Sequence, residues 1–318
     1  MLFIASIFAA IVPMITYLLI IWQIDRYDRE PFSFVIINYL YGAVGAIIIA
    51  VLGSGLISTL VSLVIQSGQT VEHIETIIVA PMVEETTKGF FLFLIISNKK
   101  FDNMTDGIVY GGAIGLGFGM TENFFYFVFY AHSINDWISI VIIRTLFSGV
   151  MHCVSTGTLG AFLGYSKFKP RYIKITFPLY GLAIAMFIHF LWNLSVSFES
   201  TAILGFLFMI FTIAIFITVF SISILGEKKI IYRELLPETD DGLIPREHLF
   251  ILNSSKRNKL GWIDESIRKL YIRAATTLAF RKMQARNSSG LSKNYYDQDI
   301  EHYRIFIRNL LSNSKLND

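Results

Sequence analysis

Residues 77–96 read Ile77-Ile-Val-Ala-Pro-Met-Val-Glu-Glu-Thr-Thr-Lys-Gly-Phe-Phe-Leu-Phe-Leu-Ile-Ile96, a run apolar and long enough to cross a bilayer, with Glu84, Glu85 and Lys88 inside it. An unpaired charge at bilayer depth costs about 2.5–3.5 kcal/mol or more per group. Glu84 and Lys88 are four apart, share a helix face and are expected to pair; Glu85 points about a third of a turn away. A structural pair needs one carboxylate, and this stretch has two. The second makes the stretch a candidate functional site, with polar glue between packed helices as the plainer alternative.

The rest of the chain places this stretch in a membrane protein. Of 318 residues, 54% are hydrophobic, 15% aromatic and only 16% charged, where soluble domains carry about 25% charged residues. The net charge of +3 is unevenly placed, with most charge after Leu225. The one cysteine, Cys153, excludes an intramolecular disulfide and reads as a small core residue. Leu2 to Ile24 is an apolar run with no basic segment before it, expected as an anchor rather than a cleaved leader.

The expected architecture is all-α: a polytopic transmembrane bundle over 1–226, with a cytoplasmic linker and helical tail over 227–318. Seven spans are expected, near 2–24, 33–65, 76–97, 106–131, 137–165, 174–198 and 200–226. An eighth arises if the break at Gly53-Ser-Gly55 splits the second. Arg26 and Arg29, Lys99 and Lys100, and Lys167, Lys169, Arg171 and Lys174 occupy alternate connections, and the connections between them lack Lys and Arg. The positive-inside rule then gives an extracytoplasmic N-terminus and a cytoplasmic C-terminus, and favours seven spans over eight.

Further polar groups fall on neighbouring spans. In the fourth, Gly111, Gly115 and Gly119 recur every four residues, a face that admits another helix backbone, and Glu122 closes it. In the fifth, Arg144, Ser148, His152, Thr156 and Gly160 form a stripe that must face protein or water. The sixth carries His189, Asn193 and Ser197 at the same spacing. Counted from the outer ends, Glu84, Glu122 and His189 lie about 8–9 residues in, roughly 12–14 Å, and His152 about 15 residues in. One shared site, in the outer half or near the midplane, is expected.

Residues 227–258 read as an irregular linker with a turn at Thr239-Asp-Asp-Gly242. Residues 262–286 and 294–312 read as amphipathic helices. Arg268, Lys269, Arg273, Arg281, Lys282 and Arg286 suit anionic lipid headgroups, and a self-packed helical pair is the alternative. No groove-reading or base-stacking motif accompanies the charge, so nucleic acid is not an expected partner.

Glutamates and histidines in a low-dielectric site suit water activation, with a His or Asn donor for an oxyanion. No nucleophile elbow is present. His-Glu-x-x-His is absent and the two histidines sit on different spans, so the expectation is no cofactor and no metal, with zinc as the alternative.

Glu84-Glu85-x-x-Lys88, Phe118-x-x-x-Glu122, His152 and His189-x-x-x-Asn193, in this order over residues 75–200, resemble the PrsW family of intramembrane proteases, related to the CAAX prenyl proteases and Abi membrane proteins. The resemblance implies a bacterial cell-membrane endopeptidase acting on a membrane-anchored protein, with an anti-sigma factor as the characterised type of substrate. It implies Glu84 as base on water with Glu85 beside it, and Lys88 holding a carboxylate. Glu122 stands where CAAX proteases carry a second water-activating His, and His189 and Asn193 form the oxyanion pair. His152 and Arg144 are supporting residues. The tail from 227 onward departs from the family pattern. The rival readings are a proton- or ion-coupled transporter using the same groups as a relay, and a non-catalytic membrane scaffold.

Overall fold

A computed structural model describes residues 1–314, which are helical, with no strand among them. In chain order, α1 is Leu2–Ile24 and α2 is Phe32–Ser62. Helix α3 covers 68–95 through Gly68–Ile74, a π-helical turn Glu75–Val79 and Ala80–Ile95. Then come α4 Met104–Phe129, α5 Ile134–Ser166, α6 Arg171–Val196 and α7 Ala202–Asp240. The last three are α8 Arg246–Leu252, α9 Glu265–Arg286 and α10 Gly290–Ser314.

Five of these, α1, α2, α5, α6 and α7, are long and apolar enough to cross a membrane. The other two expected spans are α3, interrupted by Glu84, Glu85 and Lys88, and the glycine-rich α4 with Glu122. Helix α2 passes through Gly53 and Gly55 unbroken to Ser62, so the expected second span forms one helix and not two. Its irregularity lies earlier, in a π-helical turn at Tyr41–Ala46.

The chain divides into two compact units, one of Met1–Asp25 with Glu30–Phe220, the other of Arg26–Arg29 with Ser221–Asp318. In the first, α4 is the axis, buried continuously from Thr105 to Gly119. Asn103 starts it with a capping box: its side chain accepts from Thr105 and Asp106 N–H, and Asp106 accepts from Asn103 N–H at 3.0 Å. The expected glycine face meets α5 backbone to backbone. A Cβ on Gly107, Gly111 or Gly115 would overlap the carbonyl of Gly160, Thr156 or His152 respectively. Glycine at these positions lets the fifth helix approach until His152 stands beside the fourth.

Two further π-helical turns adjoin the polar residues, Glu75–Val79 ahead of Glu84 and Arg144–Ser148 ahead of His152. Each inserts an extra residue and re-aims the side chains beyond it. The first precedes Pro81, whose missing N–H cannot close an ordinary α turn.

In the second unit the expected linker over 227–258 is largely helical. Helix α7 continues through Gly226 and Pro237 to Asp240, because Ile231, Glu234, Leu235 and Glu238 on this extension are buried. The turn falls where the sequence placed it: Gly242 has φ 73° and Leu243 N–H returns to Glu238 O at 2.9 Å. Helices α9 and α10 pack on each other. Arg281 pairs with Asp299 at 3.0 Å, Arg286 with Glu234 at 2.6 Å, and Lys282 with Glu238. With Arg268 on Glu265 at 2.7 Å, four of the six basic groups considered for lipid headgroups are engaged within the unit, while Lys269 and Arg273 are exposed.

Candidate active site

The two adjacent glutamates have different surroundings. Glu85 is fully buried and its carboxylate is ringed by donors: Lys88 Nζ at 2.5 Å and Ser155 Oγ at 3.0 Å on Oε1, and Thr156 Oγ1 at 3.0 Å on Oε2. His189 Nδ1 is also 3.0 Å from Oε1. Glu84 is 13% exposed, and its Oε2 is buried with no hydrogen-bond partner. Lys88 lies 3.7 Å from that oxygen. The expected Glu84–Lys88 pair is therefore the looser one, and Lys88 pairs chiefly with Glu85. Residues three and four apart both reach a helical lysine, and the hydroxyls and imidazole from α5 and α6 fix which carboxylate is turned inward.

Both histidine tautomers are set by their neighbours. Lys88, held against a carboxylate, can only donate, so His152 Nδ1, at 3.1 Å from Nζ, accepts. His152 Nε2 then carries the hydrogen and donates to Glu122 at 2.6 Å. Glu85, an acceptor of three other donors, takes the hydrogen of His189 Nδ1 and leaves Nε2 with its lone pair. His189 Nε2, left with its lone pair, and His152 Nδ1, which already accepts from Lys88, each lie 3.9 Å from Glu84 Oε2. The imidazoles meet edge to face, ring centroids 4.9 Å apart.

The arrangement is a pair of matched relays. Lys88, Glu85 and His189 form one. Arg144, Glu122 and His152 form the other, with Arg144 Nη2 2.7 Å from Glu122. Both end on Glu84. The stripe on α5 supplies much of this: Arg144, His152 and Thr156 all reach the cluster, Ser148 is buried one turn before His152, and Gly160 packs on Gly107 away from it. His152 stands level with Glu122 and Glu84 rather than deeper. Helix α5 has 33 residues, more than the ~20 a bilayer needs, so counting from its outer end overstates depth.

Asn193 falls outside the cluster. It lies one turn beyond His189, and its Nδ2 donates to Thr76 O at 2.8 Å. Conversely, several contributors were not singled out from the sequence. Ser155 donates toward Glu85, and Asn123 Oδ1 accepts from Arg144 Nε at 3.0 Å. The Tyr126 ring lies 3.6 Å below the Arg144 guanidinium. Their signal was proximity along the helix: Asn123 and Tyr126 are one and four residues after Glu122, and Ser155 is three after His152.

The site also has the donors of a metal centre. One oxygen of Glu84 and one nitrogen each of His152 and His189 lie within 4.8 Å of one another. Two imidazoles and a carboxylate are a set that zinc accepts. Each imidazole is backed by a carboxylate on its other nitrogen, the usual outer support of a metal-bound histidine. With Glu84 Oε2 unpartnered among them, these residues fit a divalent ion once Lys88 Nζ gives up its 3.1 Å contact with His152 Nδ1.

Comparison with known proteins identifies relatives. The family described as "PrsW family intramembrane metalloprotease" matches residues 30–220. A protein named Protease PrsW from Clostridioides difficile is 30% identical over 161 residues, which is 50% of this chain and 65% of that relative. Proteins of the same name from Geobacillus kaustophilus and Bacillus subtilis are each 26% identical, over 52% and 58% of this chain and 69% and 79% of their own lengths. No solved structure matches the chain. The family match takes in α2 to α6 and every member of the Glu84 cluster, and the chain belongs to the PrsW family.

Proposed function

We propose that this chain is an intramembrane protease that hydrolyses a peptide bond of a membrane-anchored protein, with Glu84 as the group that takes the proton of the attacking water. The observation that carries the reading is Glu84 Oε2, buried, without a hydrogen-bond partner, and faced at 3.9 Å by the His189 Nε2 lone pair and by His152 Nδ1. A water bound among these groups would give one hydrogen to Glu84 and the other to His189 Nε2. Its own lone pair would be left for the scissile carbonyl carbon, and Glu84 would then return the proton to the leaving amine. Glu85 and Glu122 hold the histidines in the tautomers this requires. His189 can serve an oxyanion only once protonated at Nε2. The substrate class we favour is a single-span protein such as an anti-sigma factor, in a bacterial cell membrane, with the N-terminus outside and the C-terminus in the cytoplasm.

A second reading is favoured by the converging donors. A divalent ion held by Glu84, His152 and His189 would supply Lewis acidity at the scissile carbonyl. In that case Glu84 is a ligand, and the two relays serve to fix the ligand nitrogens.

Purified protein in liposomes with a panel of single-span substrates tests both. Cleavage that is lost in His189→Ala and retained in chelator supports the carboxylate reading. Cleavage lost in chelator and restored by zinc supports the second. Absence of cleavage across the panel, with proton flux in the same vesicles, would replace both with a transporter.

A further inference from the structure

We propose that Asn193 is a positioning residue that completes the broken backbone ahead of Glu84, and that it does not touch the substrate. The proposal rests on the proteolytic reading above for its consequence, not for its geometry. In the π-helical turn Glu75–Val79, the Ala80 N–H bonds back to Glu75 O. It is thereby turned away from Thr76 O, its acceptor in an ordinary α-helix. The next donor in a π pattern lies five residues beyond Thr76, at position 81, and Pro81 has no N–H. Thr76 O thus loses both of its helical donors. At this partly exposed position the carbonyl accepts instead from Asn193 Nδ2 of α6 at 2.8 Å.

The position of this bond gives it a function. Asn193 is one turn from His189 on α6, and Thr76 is two turns ahead of Glu84 on α3. One cross-helix hydrogen bond therefore ties the register of α3 to that of α6 just outside the level at which His189 Nε2 faces Glu84. The spacing His189-x-x-x-Asn193 is then explained by the helical repeat, since a residue four beyond His189 is on the same face and one turn nearer the π-helical turn.

The test is a cycle of Asn193→Ala, Pro81→Ala and the double variant in the full-length protein, read by thermal unfolding and by cleavage. Pro81→Ala restores a backbone N–H for Thr76 O, so the loss of Asn193 should no longer matter. With Pro81 present, Asn193→Ala should lower Tm by about 2–5 °C and reduce kcat more than it raises KM. In the Pro81→Ala background, the same substitution should leave Tm and kcat at the values of Pro81→Ala alone. Should Asn193→Ala fold only when combined with Pro81→Ala, that rescue supports the proposal equally; failure to fold in both backgrounds overturns it. Equal losses in both backgrounds, or an unchanged Tm with Pro81 present, also overturn it and return Asn193 to direct contact with substrate. If no variant and no wild type cleaves any substrate, the proteolytic reading fails, and the Tm cycle still decides the role of Asn193.

Discussion

Gly115→Ala tests whether the seam between α4 and α5 sets the chemistry. A Cβ there would overlap the His152 carbonyl oxygen and lie 2.5 Å from its carbon and 2.8 Å from Cys153 N. All three are backbone atoms, so no side-chain rotation relieves the clash. Reaching ordinary contact at 3.4 Å requires the helices to part locally by roughly 1 Å. The Glu122–His152 bond, now 2.6 Å, would stretch by a similar amount, out of hydrogen-bond range. Overpacking of this kind costs about 1–3 kcal/mol, equivalent to a Tm loss of about 2–12 °C for a unit of this size. A 1 Å misplacement of catalytic groups reduces turnover by about 10²-fold. Thermal unfolding and cleavage assays on Gly115→Ala, with Gly55→Ala as control because nothing lies within 4 Å of a Cβ there, measure both. A Gly115→Ala protein that melts and cleaves like the control would refute the reasoning.

Two other outcomes are expected from the ion pairs and from the second unit. Lys88→Met strands the buried Glu85 carboxylate and should destabilise the protein by about 3–5 kcal/mol. Adding Glu85→Gln should recover part of the loss, and a Lys88→Met melt equal to wild type would contradict the pairing. Burial of His248 against Trp262 and Tyr271 pushes its pKa down, against a smaller upward pull from Glu247. The folded state therefore binds fewer protons at this histidine than the unfolded chain. The stability it contributes is complete above the unfolded value of about 6.5 and is lost as pH falls below it. Unfolding midpoints between pH 8 and pH 5 should converge for wild type and His248→Gln as pH falls, and parallel curves would exclude this role.

The helical architecture and most of the cluster were legible in the sequence because apolar runs and four-residue spacings translate directly into helix faces. Glu84, Glu85, Lys88, Glu122, Arg144, His152 and His189 come together as polar faces in an apolar bundle must. What spacing could not supply was the division of labour between Glu84 and Glu85. That depends on Ser155, Thr156 and His189 arriving from other helices to saturate one carboxylate and leave the other open. The π-helical turns at Glu75–Val79 and Arg144–Ser148 were also hidden, since each inserts a single residue with little compositional mark beyond Pro81. Asn193 shows the result: its spacing from His189 placed it in the cluster, and the turn before Pro81 gives it a different partner. The helical run of α7 to Asp240 was missed because Gly226 and Pro237 read as breaks, whereas buried contacts on Glu234, Leu235 and Glu238 carry the helix through.

The most direct test of the central claim is cleavage by Glu84→Gln, nearly isosteric and unable to take a proton, in liposomes with a single-span substrate that the wild type cuts. The account predicts a protein that melts like wild type and cleaves nothing measurable. A Glu84→Gln protein that cleaves at the wild-type rate would contradict it.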